Sequence, residues 1–467
     1  MSMKKTVIIS VLAAAVSTSV VSAASAATIT AANVQVSQSL VYINDVPAPV
    51  RTIVKDGVTL VSVRDLGAAA GALFAPGENR AIMAYINGHS IELHAGSATV
   101  LVDGEPVELE AAVENVNSSL YIELTGYVDA LGVDSTTDDT GSVWIETFQK
   151  LEGAEAPVWL DPSTILVSVL TETGSRADYK VSTAKGEFTE VFRTETASEL
   201  TASPDGKKAA YTDAAGAVYI IDLATKSTTK VTSDDTIKPE LVWAADSSAI
   251  YFLQGDKGSV VAKLALDGTI TKVLEDKVDY KSDLAVSTDG TKFVYTVIKP
   301  GAVTADASKP VESDDVVIDM TGTEPQLYYF DASVKDGKPV KLTDKADDKV
   351  FVGASAGAGT AFYVSSEEGK ATSSLIAVSS DKSVKTLVGD KDVVQAVYTG
   401  EKLYALTATA TGGEIIEVDP TSGTAKVLYT VSEDVSEIVA GKGTSIAIVE
   451  NGQVKVFQDG KWKAVTK

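Results

Sequence analysis

The chain has 467 residues, enough for two or three domains, and 45% of them are hydrophobic, ample for buried cores. A formal net charge of −24 sets it against nucleic acid and anionic lipid surfaces, and the absence of cysteine excludes disulfides, thiolate metal sites, a cysteine nucleophile and a lipid-modified N-terminal cysteine. Only 6% of residues are aromatic, while Ala, Val, Thr and Ser are abundant, which favours many short strands and weighs against sugar-stacking surfaces.

The chain opens with Lys4 and Lys5, an apolar run from Thr6 to Val21 and the small-residue stretch SAASAA. This order reads as a secretory signal, residues 1–26, with cleavage expected after Ala26. No later stretch approaches the roughly 20 apolar residues of a spanning helix, so no integral membrane span is expected after cleavage. The expected location is secreted, extracellular or associated with the cell wall.

Residues 28–150 contain a loose internal repeat. GVTLVSVRDLGAAAGA (57–72) and NSSLYIELTGYVDALGV (117–133) each spell a turn, an alternating strand and a short amphipathic helix closed by glycine. Val61, Val63 and Gly71 recur as Ile122, Leu124 and Gly132 at a constant offset of 61. Around the two copies lie further strands, with NG and DG marking hairpins. On these residues the segment resembles the small α+β stalk module related to the N-terminal domain of copper amine oxidases, common in exported proteins of Gram-positive bacteria. The usual VPLR of that module is replaced by VSVR (61–64) in one copy and IELT (122–125) in the other. The resemblance implies a fold and a stalk role, not amine oxidation, whose chemistry belongs to a separate catalytic domain. The chain's two histidines, His89 and His94, stand at odd separation in one expected strand and so point to opposite faces, which speaks against a shared metal.

Residues 154–467 repeat a different unit. TASPDGKKAAYTD (201–213), WAADSSAIYF (243–252) and AVSTDGTKFVYT (285–296) each read strand, tight turn, strand, with turn starts placed at 203, 245 and 287 by a spacing of 42. A further step back reaches Asp161, and the pattern continues at 398–408 and 441–451. A third strand ending at an acidic turn and a short fourth strand follow each hairpin, as in YIIDLATKS and TTKVT. Four strands per repeat predict a β-propeller of seven blades, with six as the alternative, and a polar insertion at 300–326 in the fourth. SPDGKKAAY and its relatives resemble TolB-like and WD-repeat-like propeller repeats; that resemblance implies architecture and leaves function open. The fold class expected for the whole chain is mainly β.

Within this region GASAG (353–357) spells the G-x-S-x-G of serine hydrolases. Aligned on its neighbours, Ser355 falls on Ser203 and Tyr363 on Tyr211, so the motif occupies a hairpin turn and not a strand-to-helix elbow. No catalytic residue is assigned.

Just ahead of the turns, where the innermost strands begin, stand Glu199, Glu240, Asp283 and Glu437. If these four line one mouth of a propeller channel, they form part of an acidic ring suited to a cation or a basic peptide, against the plainer reading of solvated strand starts. A second acidic group, Glu312, Asp314, Asp315, Asp319 and Glu324, lies in the insertion and makes calcium the one cofactor to consider, although SDDVVID lacks the spacing and glycine of a calcium-binding hand. DSTTDDTG (134–141) has the same shortcoming. The four tryptophans, at 144, 159, 243 and 462, fall in strand registers that suit core packing.

The function expected is an exported, non-enzymatic binding or scaffold protein of the cell surface or wall, its propeller face contacting a protein or wall component and not nucleic acid. The alternatives are a propeller lyase or glycosidase acting on polysaccharide, and a polysaccharide-binding lectin.

Overall fold

A computed structural model of the chain describes residues 34–467 except 45, 87, 138–140, 148, 233 and 305–316. The expected signal segment, Glu312, Asp314 and Asp315 therefore lie outside the described residues. The chain divides between Gln149 and Lys150 into two compact units.

In the first unit a seven-stranded sheet and a five-stranded meander share one core with two short helices. The internal repeat is visible as a near-symmetric pair: strands Val58–Ser62 and Ser119–Glu123 run antiparallel, with Val61 opposite Ile122, and each leads directly into a helix, Val63–Ala69 or Leu124–Ala130. The residue at the strand–helix junction caps the helix in both copies. Ser62 Oγ accepts from Asp65 N at 3.3 Å, and Glu123 Oε1 accepts from Gly126 N at 2.9 Å. Gly71 and Gly132 end the helices at φ +91° and +63°, a region that favours glycine. Tyr127, buried, donates its hydroxyl to Val63 O at 3.1 Å and so ties one copy to the other.

In the second unit the described residues form seven four-stranded antiparallel sheets, each a meander in chain order, the fourth interrupted after its second strand by a two-stranded ribbon. Their first strands are Ala154–Asp161, Thr201–Ala202, Leu241–Trp243, Lys281–Val286, Asp348–Ala354, Asp392–Tyr398 and Val435–Ala440. Every second strand is buried on both faces, because alternate side chains serve different neighbours. Phe293 packs back against Tyr251 of the third sheet, for example, while its successor Val294 packs forward against Ala361 and Val378 of the fifth. Seven apolar clusters arise in this way, one at each seam, and the last joins Ile165 and Val167 of the first sheet to Ala447, Val454 and Val456 of the seventh. The ring is thereby closed by packing, and the two ends of this unit meet where Leu151 bridges Thr466. This is a β-propeller.

The turns between first and second strands are closed by a repeated bond, Ser203 N to Lys208 O at 2.8 Å, Ala244 N to Ala249 O at 2.8 Å, Ser287 N to Lys292 O at 2.9 Å and Ser355 N to Thr360 O at 2.8 Å. Two consequences follow. The third turn starts at Ala244, one residue earlier than an even spacing of 42 places it, because these turns are held by their bonding pattern and the connectors between sheets absorb differences in length. Ser355 sits in a strand-to-strand turn, its hydroxyl accepting from Thr360 N at 3.1 Å as that of Ser203 does from Lys208 N at 3.0 Å.

Tryptophans mark the seams. Trp243 Nε1 donates to Thr201 O of the preceding sheet at 2.8 Å, and Trp159 Nε1 reaches Val439 O of the seventh sheet at 3.0 Å. Trp462 packs on Tyr429 and Phe457, and Trp144 of the first unit stacks on Tyr42.

Candidate binding face of the propeller

In a four-stranded meander the loop between second and third strands lies at the same end as the connector from the preceding sheet. Hydrogen bonds stitch these segments together: Gly255 N to Ile237 O at 2.8 Å, Tyr280 N to Lys257 O at 2.6 Å and Ile298 N to Tyr280 O at 3.1 Å. The acidic positions, the insertion and most of the polar machinery of the ring share this end.

With the third turn at Ala244, Glu199, Glu240, Asp283 and Glu437 all stand four residues before the last residue of their strand's approach to the turn, yet they do different things. Glu240 is a latch between sheets. Its Oε1 accepts from Leu284 N of the fourth sheet at 2.8 Å, and burial, aided by the Asp283 charge, pushes its carboxyl up to about 7 against the backbone bonds that favour ionisation. Gln395 performs the same task between the sixth and seventh sheets, accepting from Ile438 N at 2.6 Å and donating to Ile438 O at 3.2 Å. Asp283 lies on a bulge in the left-handed region, φ 52°, and accepts from Thr296 Oγ1 at 2.6 Å. Glu437 is half-buried, and burial raises its carboxyl above the ordinary range. Glu199 is exposed and adjoins Asp178, a fully buried carboxylate that burial raises in spite of Ser168 Oγ at 2.6 Å and Arg176 Nε at 3.1 Å. The structure thus sets Glu240 beside Asp283 and Glu199 beside Asp178. Among the described residues no group of three carboxylate or imidazole side chains is placed to hold a metal ion.

Sequence reasoning passed over three lysines six residues before the turn starts. Lys238, Lys281 and Lys349 have fully buried side chains and are paired with Asp234 at 2.9 Å, Asp276 at 2.7 Å and Asp347 at 2.6 Å. Each ammonium also binds carbonyls: Lys238 takes Gly216 O of the second sheet at 2.9 Å, and Lys281 takes Ser259 O of the third at 2.8 Å. Among the described residues Lys349 binds its own connector, Lys345 O at 2.7 Å and Asp347 O at 2.9 Å, and the neighbouring loop at that place is the one carrying the insertion. The recurrence of Lys-x-acid-Leu in KPEL and KSDL was the available signal.

The insertion returns through a short ribbon. Ala302–Thr304 pairs antiparallel with Val317–Asp319, and Asp319 Oδ1 accepts from Thr321 N at 2.9 Å; the Thr321 side chain first, and this backbone amide second, hold that carboxyl below the usual range. Val303, Ile318 and Met320 are 67%, 57% and 60% exposed. Exposed Leu170, Ile237, Tyr280, Ile298, Val350 and Val394 lie at the same end of the sheets, against Phe188, Val334, Val384 and Phe457 at the other. At the foot of the ribbon is an open pocket of about 350 Å³ lined by Lys299, Glu324, Gln326, Tyr328 and Lys341 among others.

In the first unit the histidines have separate partners. His89 Nδ1 lies 2.7 Å from Asp103 Oδ2, and His94 Nε2 lies 2.8 Å from Glu92 Oε1.

The architecture is therefore a small α+β unit followed by a β-propeller. Residues 41–145 match the copper amine oxidase N-terminal domain family. No curated protein matches the sequence. Among solved structures, the β-propeller domain of the Trilobed protease from Pyrococcus furiosus is 15% identical, with 69% of this chain and 97% of that one covered at a TM-score of 0.46. Pyrococcus horikoshii acylaminoacyl peptidase is 15% identical over 68% of this chain at a TM-score of 0.46, and the alignment covers 54% of the peptidase, about half its length. TolB from Acinetobacter baumannii is 15% identical over 73% of this chain and 79% of that chain, TM-score 0.37. Likenesses of this strength say nothing of activity; the propeller assignment rests on the sheets and seams described above. No helix among the described residues is long and apolar enough to cross a membrane.

Proposed function

We propose that this is an exported, non-enzymatic scaffold that holds a protein partner at the cell surface or wall through the insertion-bearing end of its propeller. One observation carries the reading: apolar side chains are exposed together at that end, led by Val303, Ile318 and Met320 on the ribbon. The polar groups of the same end favour it too, since Glu240, Lys238 and Lys281 are committed to joining sheets.

The test uses the chain without residues 1–26, sedimented with cell-wall sacculi that retain their proteins and with sacculi stripped by protease. Saturable binding to the first alone, lost in the V303S/I318S/M320S variant, is the expected result. Binding to stripped sacculi would point to polysaccharide instead, and release of reducing ends from wall or plant polysaccharides would replace the scaffold by an enzyme.

A further inference from the structure

The ribbon is the one sheet among the described residues with only two strands, and among those residues each strand pairs with the other alone, leaving both outer edges without a further strand. Isolated two-stranded ribbons are marginal in water, and exposed edges are commonly blunted by lysine, proline or a bulge. Here Ala302, Val303, Thr304, Val317 and Ile318 supply no lysine, proline or bulge, and Asp319 is the one charged residue of the ribbon. The root of the ribbon is nonetheless firmly built. Gly301 admits no side chain, a Cβ there falling 2.7 Å from Ile318 Cγ2 and 2.8 Å from Met320 Sδ, and Thr323 Oγ1 donates to Met320 O at 2.8 Å. A supported ribbon with bare edges and exposed β-branched side chains is a template for another strand.

Resting on the scaffold reading above, we infer that the partner docks by strand addition: an extended segment pairs its backbone with an edge of the ribbon and lays alternate apolar side chains on Val303 and Ile318. Charge complementarity makes the segment basic, since Asp319 stands exposed on the ribbon of a chain of net charge −24.

The probe is a labelled hexapeptide of alternating Lys and Val, read by fluorescence anisotropy on the full chain without residues 1–26. Its controls are the Glu-Val counterpart and a Lys-Val peptide N-methylated at alternate residues. Saturable binding of the Lys-Val peptide is expected, at least tenfold tighter than either control, and weakened at least tenfold by V303K/I318K. The variant V334K/V384K adds the same charge at exposed positions at the other end of the sheets and is expected to change binding less than twofold; unchanged circular dichroism and melting show that both variants fold. Equal binding of the N-methylated peptide, equal loss in the two variants, or no binding at all overturns strand addition. Partner capture in the sacculus experiment together with failure here would leave the scaffold standing and remove only this mode of docking.

Discussion

Replacing Glu240 by Gln should stabilise the propeller in neutral and alkaline solution and do little in acid. The carboxyl is raised from an ordinary 4.5 to about 7 because it is buried at the seam of the third and fourth sheets beside Asp283. A folded-state pKa above the unfolded one means that the folded protein holds the proton more tightly, so its stability is fully retained below about pH 4.5 and lost as pH rises toward 7. At about 1.4 kcal/mol per pKa unit, the ionised carboxylate costs up to about 3 kcal/mol at pH 8 and under about 1 kcal/mol at pH 5. Glutamine keeps an oxygen for Leu284 N and has no charge to bury, and Gln395 already makes the equivalent bond to Ile438 N at 2.6 Å. Urea unfolding followed by tryptophan fluorescence at pH 5 and pH 8 measures the difference. The E240Q advantage should grow by about 2 kcal/mol between the two. An advantage independent of pH, or one that shrinks as pH rises, would refute the argument that burial and Asp283 disfavour the carboxylate.

Lys281→Met should cost about 3 kcal/mol, since it leaves half-buried Asp276 and the Ser259 and Val278 carbonyls without their cation; thermal melting of the single variant against K281M/D276N shows whether the unpaired acid is the cause. Gly206→Ala should destabilise the seam between the first and second sheets by at least about 2 kcal/mol, because residue 206 has φ +69° and its Cβ would lie 2.1 Å from Leu160 O, which differential scanning calorimetry would register. Trp243→Phe keeps the packing and loses the bond to Thr201 O, with an expected cost of about 1 kcal/mol in chemical denaturation. Ser355→Ala should cost about 1 kcal/mol through the turn, and the unaltered protein should resist labelling by a fluorophosphonate probe; labelling at Ser355 would overturn the hairpin reading.

Architecture was legible in the chain because it is periodic. The offset of 61 between Val61 and Ile122 foretold the paired strand–helix units, and the alignment of Ser355 with Ser203 foretold a hairpin, since strand alternation and turn chemistry act over a few residues. What local pattern could not supply was the partner of each polar side chain. Glu199, Glu240, Asp283 and Glu437 look alike in sequence, but the tertiary structure gives Glu240 a backbone amide of the next sheet, puts Glu199 in water beside Asp178, and seats Asp283 on a bulge. Lys238, Lys281 and Lys349 carry no local sign of burial because lysine is rarely buried; each finds a carboxylate in its own connector, and Lys238 and Lys281 become seam fasteners where the preceding sheet brings a carbonyl within hydrogen-bonding reach. Periodicity along the chain decided which strands exist. Packing between sheets decided which charges could be buried: Asp234, Asp276 and Asp347 lie close to their lysines in sequence, but the Gly216 and Ser259 carbonyls that complete the Lys238 and Lys281 sites come from the preceding sheet.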